Sequence, residues 1–398
     1  SGLFPSLYSG FMVKAGSDWR VAIMRPGEDP IGNLAQALNH EDVLGGDQEL
    51  AGAGRMLLES TLRRSALGLA DCVRHARLDK HENLLVVVDQ FEELFRFRES
   101  RKTLGSRDDA VAFAKLLLGA AAQSQVPVYV VITMRSDFIG DCMEYPGLPE
   151  AINRGQYLIP RMTREELRQA IVGPVAVGGG EIAPRLVTRL LNEVGDDPDQ
   201  LPVLQHALMR SWDHWDGARD DGESLDMAHY DAIGGMGTAL SRHAEEALEE
   251  LEGERARHIA ERLFKALTDK RMDDRGVRHP TAVREVAAIA DVSEGEVIEV
   301  VEAFRRPGRS FLMPPTGVEL EGDSILDLSH ESLMRHWTRL VEWVDEETIS
   351  GKAYRRLCRS AQRYERGEAG LWAEPELSIG LKWREENSPT PAWAARYD

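Results

Sequence analysis

The segment Leu84-Leu85-Val86-Val87-Val88 is apolar at every position and runs straight into Asp89-Gln90-Phe91-Glu92-Glu93. Apolar residues in succession, without alternation, describe a strand covered on both faces, the habit of a parallel sheet lying between helical layers. Two further runs have the same character: Val21-Ala22-Ile23-Met24, ending at the turn signal Arg25-Pro26-Gly27, and Val128-Tyr129-Val130-Val131-Ile132. Between them apolar residues recur at helical spacing, with Leu57, Leu58, Leu62 and Leu67 before the central run and Val111, Phe113, Leu116 and Leu117 before the third. Strand–helix alternation predicts an α/β unit. In such sheets ligands gather at the carboxyl ends of the strands. A fourth short strand is expected at Tyr157-Leu158-Ile159, ahead of Pro160.

Beyond Pro160 the pattern turns helical. Thr163 and Glu166 have the spacing of a capping box ahead of Leu167, Ala170 and Ile171, in a helix expected to stop at Gly173-Pro174. A helical unit from about Ala183 to Trp215 is interrupted by Asp196-Asp197-Pro198-Asp199, and two long helices follow, roughly Ala239–Leu251 and Ala256–Leu267. A helix near Val283–Ala290, a second capped by Ser293 and Glu296, and strands Phe311-Leu312-Met313 and Ile325-Leu326-Asp327-Leu328 around a Pro-Pro-Thr-Gly turn make the order of a winged helix. Another helix is expected from Ser329. The tail places Lys352, Arg355, Arg356, Arg359, Arg363 and Arg366 on one helical stripe and Ala353, Leu357, Ala361 and Tyr364 on another.

A chain of 398 residues is too long for one ordinary core. Lys+Arg 48 against Asp+Glu 67 leaves −19, a field that repels phosphate backbones and anionic lipid, so neither nucleic acid nor membrane is an expected partner. The cysteines Cys72, Cys142 and Cys358 are odd in number and far apart, which argues for reduced thiols. No apolar stretch approaches the ~20 residues that cross a bilayer, and Ser1 to Ser9 lack the shape of a signal peptide. A cytoplasmic location is expected.

The strongest constellation is Asp89 with Glu92 and Glu93. Negative charge at the ligand edge of a buried strand is costly unless something positive offsets it. A hydrated Mg²⁺, which takes few carboxylates and keeps its waters, suits Asp89, with Glu92 or Glu93 polarising an attacking water in phosphoryl transfer. The other reading is a strand that stops at a solvated acidic turn. Arg135, closing the third strand, could meet a terminal phosphate with its fork of donors, or form an internal ion pair with Asp137. There is no Gly-x4-Gly-Lys-Ser/Thr, no Cys-x2-Cys pair and no nucleophile elbow. His330-Glu331 falls short of a zinc-protease motif because Met334 stands where the second His must be. In the winged-helix segment, Glu294, Glu296, Glu299 and Glu302 oppose a phosphate backbone.

Taken in order, six stretches carry a family resemblance: Arg25-Pro26-Gly27-Glu28-Asp29-Pro30, Val88-Asp89-Gln90-Phe91-Glu92-Glu93-Leu94-Phe95, Met134-Arg135-Ser136-Asp137-Phe138, Leu201-Pro202-Val203-Leu204-Gln205-His206-Ala207-Leu208, Tyr230 with Gly234-Gly235, and Leu328-Ser329-His330-Glu331-Ser332-Leu333. Reaching to about Trp343, the chain resembles the STAND class of signal-transduction NTPases, specifically the bacterial novel STAND group found with WD40 or TPR repeats. The resemblance implies an α/β parallel-sheet P-loop-type NTPase core (1–160), an all-α lid (161–225), a winged-helix domain (226–347) and a helical connector (348–398). By it, Asp89 is similar to the Mg²⁺-binding Walker B residue, and Glu92-Glu93 to the acidic pair of related NACHT-type proteins. Gln90 stands where many ATPases have Glu. Arg135 is similar to the sensor of the γ-phosphate, and Pro202 to the lid proline that packs on adenine. His330-Glu331 resembles the His-Asp pair that holds ADP at rest.

The implied cofactors are ATP or ADP with Mg²⁺. The family's phosphate-cradling loop would end just before Ser1, so a fragment beginning after that loop is expected, with ATPase activity in the intact parent rather than in this chain. An upstream effector domain and downstream sensor repeats of the same polypeptide are the implied partners, with self-association on activation. The expected function is a nucleotide-dependent switch with slow hydrolysis. Two other readings stand beside it: an interaction scaffold without nucleotide binding, and a winged-helix DNA-binding regulator.

Overall fold

Runs of Val, Leu and Ile with flanking polar turns produce three strands, β1 (Trp19–Met24), β2 (Asn83–Val88) and β3 (Val128–Ile132). They pair in the order β1-β2-β3, both pairs parallel, with Met24 opposite Val88 and Val88 opposite Ile132. The structure is a computed structural model that describes residues 3–10, 17–27, 29–45, 51–76, 78, 81–95, 106–195, 200–217, 223–270 and 276–397. It divides into two units, Ser1–Pro160 and Arg161–Asp398. Taken as a whole, the chain is mostly helical, with this small parallel sheet near its N-terminus.

In the first unit α1 (Leu3–Tyr8) precedes β1; parallel strands require crossovers, supplied by α2 (Pro30–Leu38), α3 (Ala51–Arg64) and α4 (Gly68–Ala76) between β1 and β2 and by α5 (Ser106–Ala122) between β2 and β3, and α6 (Leu148–Gly155) follows β3. One face of the sheet, Ala22, Met24, Val86, Val88 and Val128, packs with Leu34, Leu38, Leu62, Leu69, Phe113 and Leu116 into a continuous core. The opposite face carries a smaller cluster of Leu7, Trp19, Leu85 and Val87, against which Trp19 and Tyr129 meet edge-on at 5.0 Å. β2 is buried along its whole length, whereas Ile23 of β1 is exposed. Full cover on both faces therefore holds for the central strand and not for its neighbour. Leu57 and Leu67 are also exposed, and Leu62 carries the buried face of α3. Cys72 and Cys142 are buried free thiols, pushed up by burial to about 12 and about 11 and so kept protonated.

The expected fourth strand is absent from the described residues. Tyr157, Leu158 and Ile159 belong to no helix or strand and are exposed. A strand needs a neighbour to take its N–H and C=O groups; this segment has none among the described residues and runs into Pro160, which lacks a donor.

The second unit opens with α7 (Arg164–Val177), where Thr163 and Glu166 form the capping box in full. Contrary to expectation, α7 runs through Pro174. The proline removes one hydrogen bond, but Leu167, Ile171 and Val175 form a buried stripe on both sides of it that holds the helix in place. Thr163→Ala is expected to cost about 1 kcal/mol, read as a lower urea midpoint with unchanged slope.

Next come α8 (Pro184–Val194), α9 (Leu201–Asp216), α10 (Met227–Ala232) and α11 (Gly235–Glu249), sharing a core of Ile171, Leu190, Leu204, Tyr230 and Met236. The loop at 196–199 lies outside the described residues. A second core, around Phe264, Phe304, Leu328, Trp337 and Trp393, unites the remainder. It contains α12 (Gly253–Ala266), β4 (Thr268–Asp269), β5 (Val277–Arg278), β6 (Thr281–Ala282), α13 (Val283–Ala290), α14 (Glu294–Arg305), β7 (Leu312–Met313) and β8 (Ile325–Leu328). β4 and β5 pair with each other, and the last three strands form an antiparallel sheet in the order β6-β8-β7. The helix expected from Ser329 is instead α15 (Ser332–His336), followed by the long α16 (Thr338–Glu365), α17 (Glu376–Asn387) and α18 (Pro391–Ala395). Among the described residues no helix is long and apolar enough to cross a membrane.

Candidate functional site

Parallel pairing carries the chain at the ends of β1, β2 and β3 to one edge of the sheet. Arg25 follows Met24, Asp89 follows Val88, and Thr133 follows Ile132, in the register that sets those three strand residues side by side. The Thr133 hydroxyl donates to Asp89 Oδ1 at 2.5 Å and accepts the Gln90 N–H at 3.2 Å. Arg25 Nε lies 3.6 Å from Asp89 Oδ2. The ladder continues past the strands, with Asp89 N–H donating to Met24 O and Phe91 N–H to Thr133 O. Asp89 is thereby held in orientation while its side chain stays 40% exposed.

The turn after Asp89 is unusual. Gln90 has φ 54°, a left-handed conformation that costs a non-glycine residue about 1–2 kcal/mol. Backbone in such a region persists where its surroundings impose it, and here the constraint is visible. Phe91 is fully buried and edge-on to Phe95 at 5.7 Å, and Phe95 stacks on Phe138 at 6.3 Å and approaches Tyr145 at 5.7 Å. These aromatic rings fasten the acidic turn to the segment after β3.

Glu92 and Glu93 fold inward, 6% and 9% exposed. Glu93 Oε2 accepts the Gly27 N–H at 3.1 Å, so this carboxylate anchors the turn after β1. Asn33 holds the same turn by donating to Pro26 O at 2.9 Å, and Asp29 caps α2 through the Gly32 N–H. Arg135 lies two residues beyond Thr133 and forks onto Asp137, Nη2 to Oδ2 at 2.8 Å and Nε to Oδ1 at 3.3 Å. The internal ion pair is thus present in this structure.

In the second unit, Pro202 occupies the first turn of α9, a position where its missing N–H costs nothing. His330 is exposed, and its Nδ1 accepts the Ser332 N–H at 3.1 Å, which puts the proton of the neutral ring on Nε2. Glu331 pairs with Arg335 at 3.3 Å. Tyr230 donates to Glu193 and accepts the Met236 N–H at 2.7 Å, where Gly234 and Gly235 take positive φ beside a cavity of about 520 Å³.

Among the described residues no three His, Cys, Asp or Glu side chains are gathered as a metal cage. At the end of the central strand, Asp89 is oriented and still accessible. That donor set suits a hydrated Mg²⁺, which binds through one or two carboxylates and takes its other ligands from water and phosphate. Sequence reasoning selected Asp89 and Arg135 but passed over Arg25 and Thr133 as site residues. Their signal was the same as that of Asp89, a polar residue placed immediately after an apolar strand.

The search of curated proteins returns no match. The profile of nSTAND1, described as Novel STAND NTPase 1, matches residues 1–370. A match over that span, on a chain with a parallel sheet that ends in Arg25, Asp89 and Thr133, is decisive: the chain belongs to the Novel STAND NTPase 1 family.

Proposed function

We propose that this chain is the nucleotide-dependent switch of its STAND NTPase, resting with ADP and signalling with ATP, with slow Mg²⁺-dependent hydrolysis as the reset. The observation that carries the proposal is the strand-end cluster, in which Thr133 fixes Asp89 on the central strand between arginine-bearing neighbours. Asp89 would hold a hydrated Mg²⁺, whose charge would offset that of the nucleotide phosphates. Glu92 and Glu93 are the acidic groups beside it, with Glu93 keeping the turn at Gly27 in place. Arg135 would exchange Asp137 for the γ-phosphate.

In the second unit, the run α12, β6, α13, α14, β7, β8 with β8 central supports a winged helix, and α7 to α11 would be the lid. Pro202 would pack on the base, and the Nε2–H of His330 would donate to a phosphate of bound ADP. Differential contacts of this kind, His330 with one nucleotide and Arg135 with the other, shift a population between closed and open forms. Effector and sensor segments of the same polypeptide would couple to that shift.

The test is nucleotide analysis of the full-length protein after purification and denaturation. Release of ADP or ATP in near-stoichiometric amount is the expected result. A well-folded protein that releases none would overturn the switch and favour the interaction scaffold.

A further inference from the structure

Beside β4 the second unit holds a cavity of about 650 Å³, an ordinary volume for a small-molecule site. One wall is α16. At 3.6 residues per turn, Asp345, Thr348, Lys352 and Arg355 fall within an arc of about 80°, and all four line the cavity. Asp269 and Lys270 face them, and Arg396 and Tyr397, just after α18, complete the lining with Glu347. The surroundings are closely fitted. Gly351 leaves room for the Tyr397 ring, which a Cβ at that position would strike. Glu347 is buried and accepts from Trp393 Nε1 at 2.7 Å and from the Tyr397 hydroxyl at 2.6 Å.

Cancelling the charges of the lining against one another leaves two cations over. Lys270 pairs with Asp345 at 2.5 Å, and Arg396 with Glu347 at 3.5 Å. Asp269 is buried and already engaged. Lys352 and Arg355 pair with no carboxylate among the described residues, and Arg355 spends only its Nε, on Gly351 O of its own helix at 3.3 Å. Like charges three residues apart on a helix repel, and neither residue lies in the last turn of α16, where the helix dipole favours a cation. A guanidinium fork beside a point charge suits a doubly charged oxyanion, and a phosphate ester carries about −1.5 to −2 at pH 7. The Thr348 hydroxyl donates to Val344 O at 2.7 Å and so turns an acceptor lone pair toward a ligand hydroxyl.

We propose that this cavity is a binding site for a small phosphate-bearing molecule, its phosphoryl oxygens held by Lys352 Nζ and the Arg355 Nη groups. A long polyanion would meet the field of a chain of net charge −19, whereas the charge of one small phosphate is matched locally by these two cations. A ligand there would tie α16 to β4 and to the segment after α18. The site uses none of the residues assigned to the nucleotide, and its test needs neither magnesium nor nucleotide, so it stands or falls apart from the switch reading.

The full chain is titrated calorimetrically with inorganic pyrophosphate in EDTA at about 100 mM salt, where the screening length is about 10 Å. Saturable binding at a single site is expected. K352Q/R355Q is expected to weaken it at least about tenfold, the usual effect of losing hydrogen bonds to a charged group. R363Q/R366Q removes the same charge from exposed positions of the same helix and its end, beginning about 12 Å past Arg355, and is expected to change affinity less than about twofold. Both variants should keep the wild-type circular-dichroism spectrum. A chain that binds no pyrophosphate would overturn the proposal. Equal losses in the two double variants would overturn it too, because the anion would then be answering the general field of the helix. Binding that survives in K352Q/R355Q and is lost in R25Q/R135Q would place the anion at the strand ends and overturn it as well.

Discussion

Exchanging Asp89 for asparagine is expected to leave the full-length protein folded and to lower its affinity for magnesium–nucleotide at least about 100-fold, close to 3 kcal/mol. The side chain is 40% exposed and makes its closest contact through one oxygen, to the Thr133 hydroxyl. An amide keeps that acceptor and removes only the charge that a hard cation requires. Thr133→Val removes the hydroxyl that orients the carboxylate and is expected to cost about tenfold, the usual size of an effect one shell removed from a metal. Titration of a fluorescent nucleotide analogue in magnesium and then in EDTA separates the metal-dependent part. The asparagine variant should match the wild type in EDTA. Equal losses in both conditions would mean that Asp89 acts as a structural cap on β2 rather than as a metal ligand.

The central strand was legible because an apolar run of that length has one stable environment, and Asp89 as its terminus because it is the first charged residue after that run. Two capping boxes were legible for a similar reason, since Thr163 with Glu166 and Ser293 with Glu296 are local arrangements complete within four residues. What escaped was whatever depends on a neighbour. Tyr157-Leu158-Ile159 has the composition of a strand, but pairing is a property of two segments and this one has no neighbouring strand among the described residues. Pro174 was read as a stop because propensity was judged alone, whereas the buried stripe on either side of it decided the outcome. The Arg135–Asp137 ion pair was foreseen as one of two options, and sequence could not choose between them, because both are within reach of the same side chain. Arg25 and Thr133 became visible only with the register of the sheet. Spacing along the chain reports which residues end strands; only pairing reports which strand ends adjoin.

Acidification from pH 7 to pH 5 is expected to remove about 3–4 kcal/mol of stability from the second unit through two buried imidazoles. His206 of α9 and His243 of α11 approach within 3.4 Å, Nε2 to Nδ1, and both rings lie against Phe311, at 5.9 and 5.0 Å. Burial, followed by Arg210, pushes His206 down to about 4. Burial, followed by Arg210, His206 and Arg309, pushes His243 down to about 3. The facing cations are themselves committed, Arg210 to Glu246 and Arg309 to Glu250, and His258 on α12 is lowered in the same direction. The sign follows from proton binding. Unfolded histidines take up protons below about 6.5, whereas the folded pair stays neutral until far lower pH, so the unfolded state binds more protons and stability falls as pH falls through that window. Carboxylates held below their ordinary range, such as Asp226 beside Arg185 and Glu296 beside Arg255, lose their contribution only at more acid pH, so they do not obscure the interval. Urea unfolding at pH 7 and pH 5 measures the difference. In His243→Phe, which matches the neighbouring aromatic surface and cannot charge, about half of that pH dependence should vanish. A variant that keeps the full dependence would trace the acid sensitivity to other groups and leave the imidazole pair as ordinary packing between α9, α11 and Phe311.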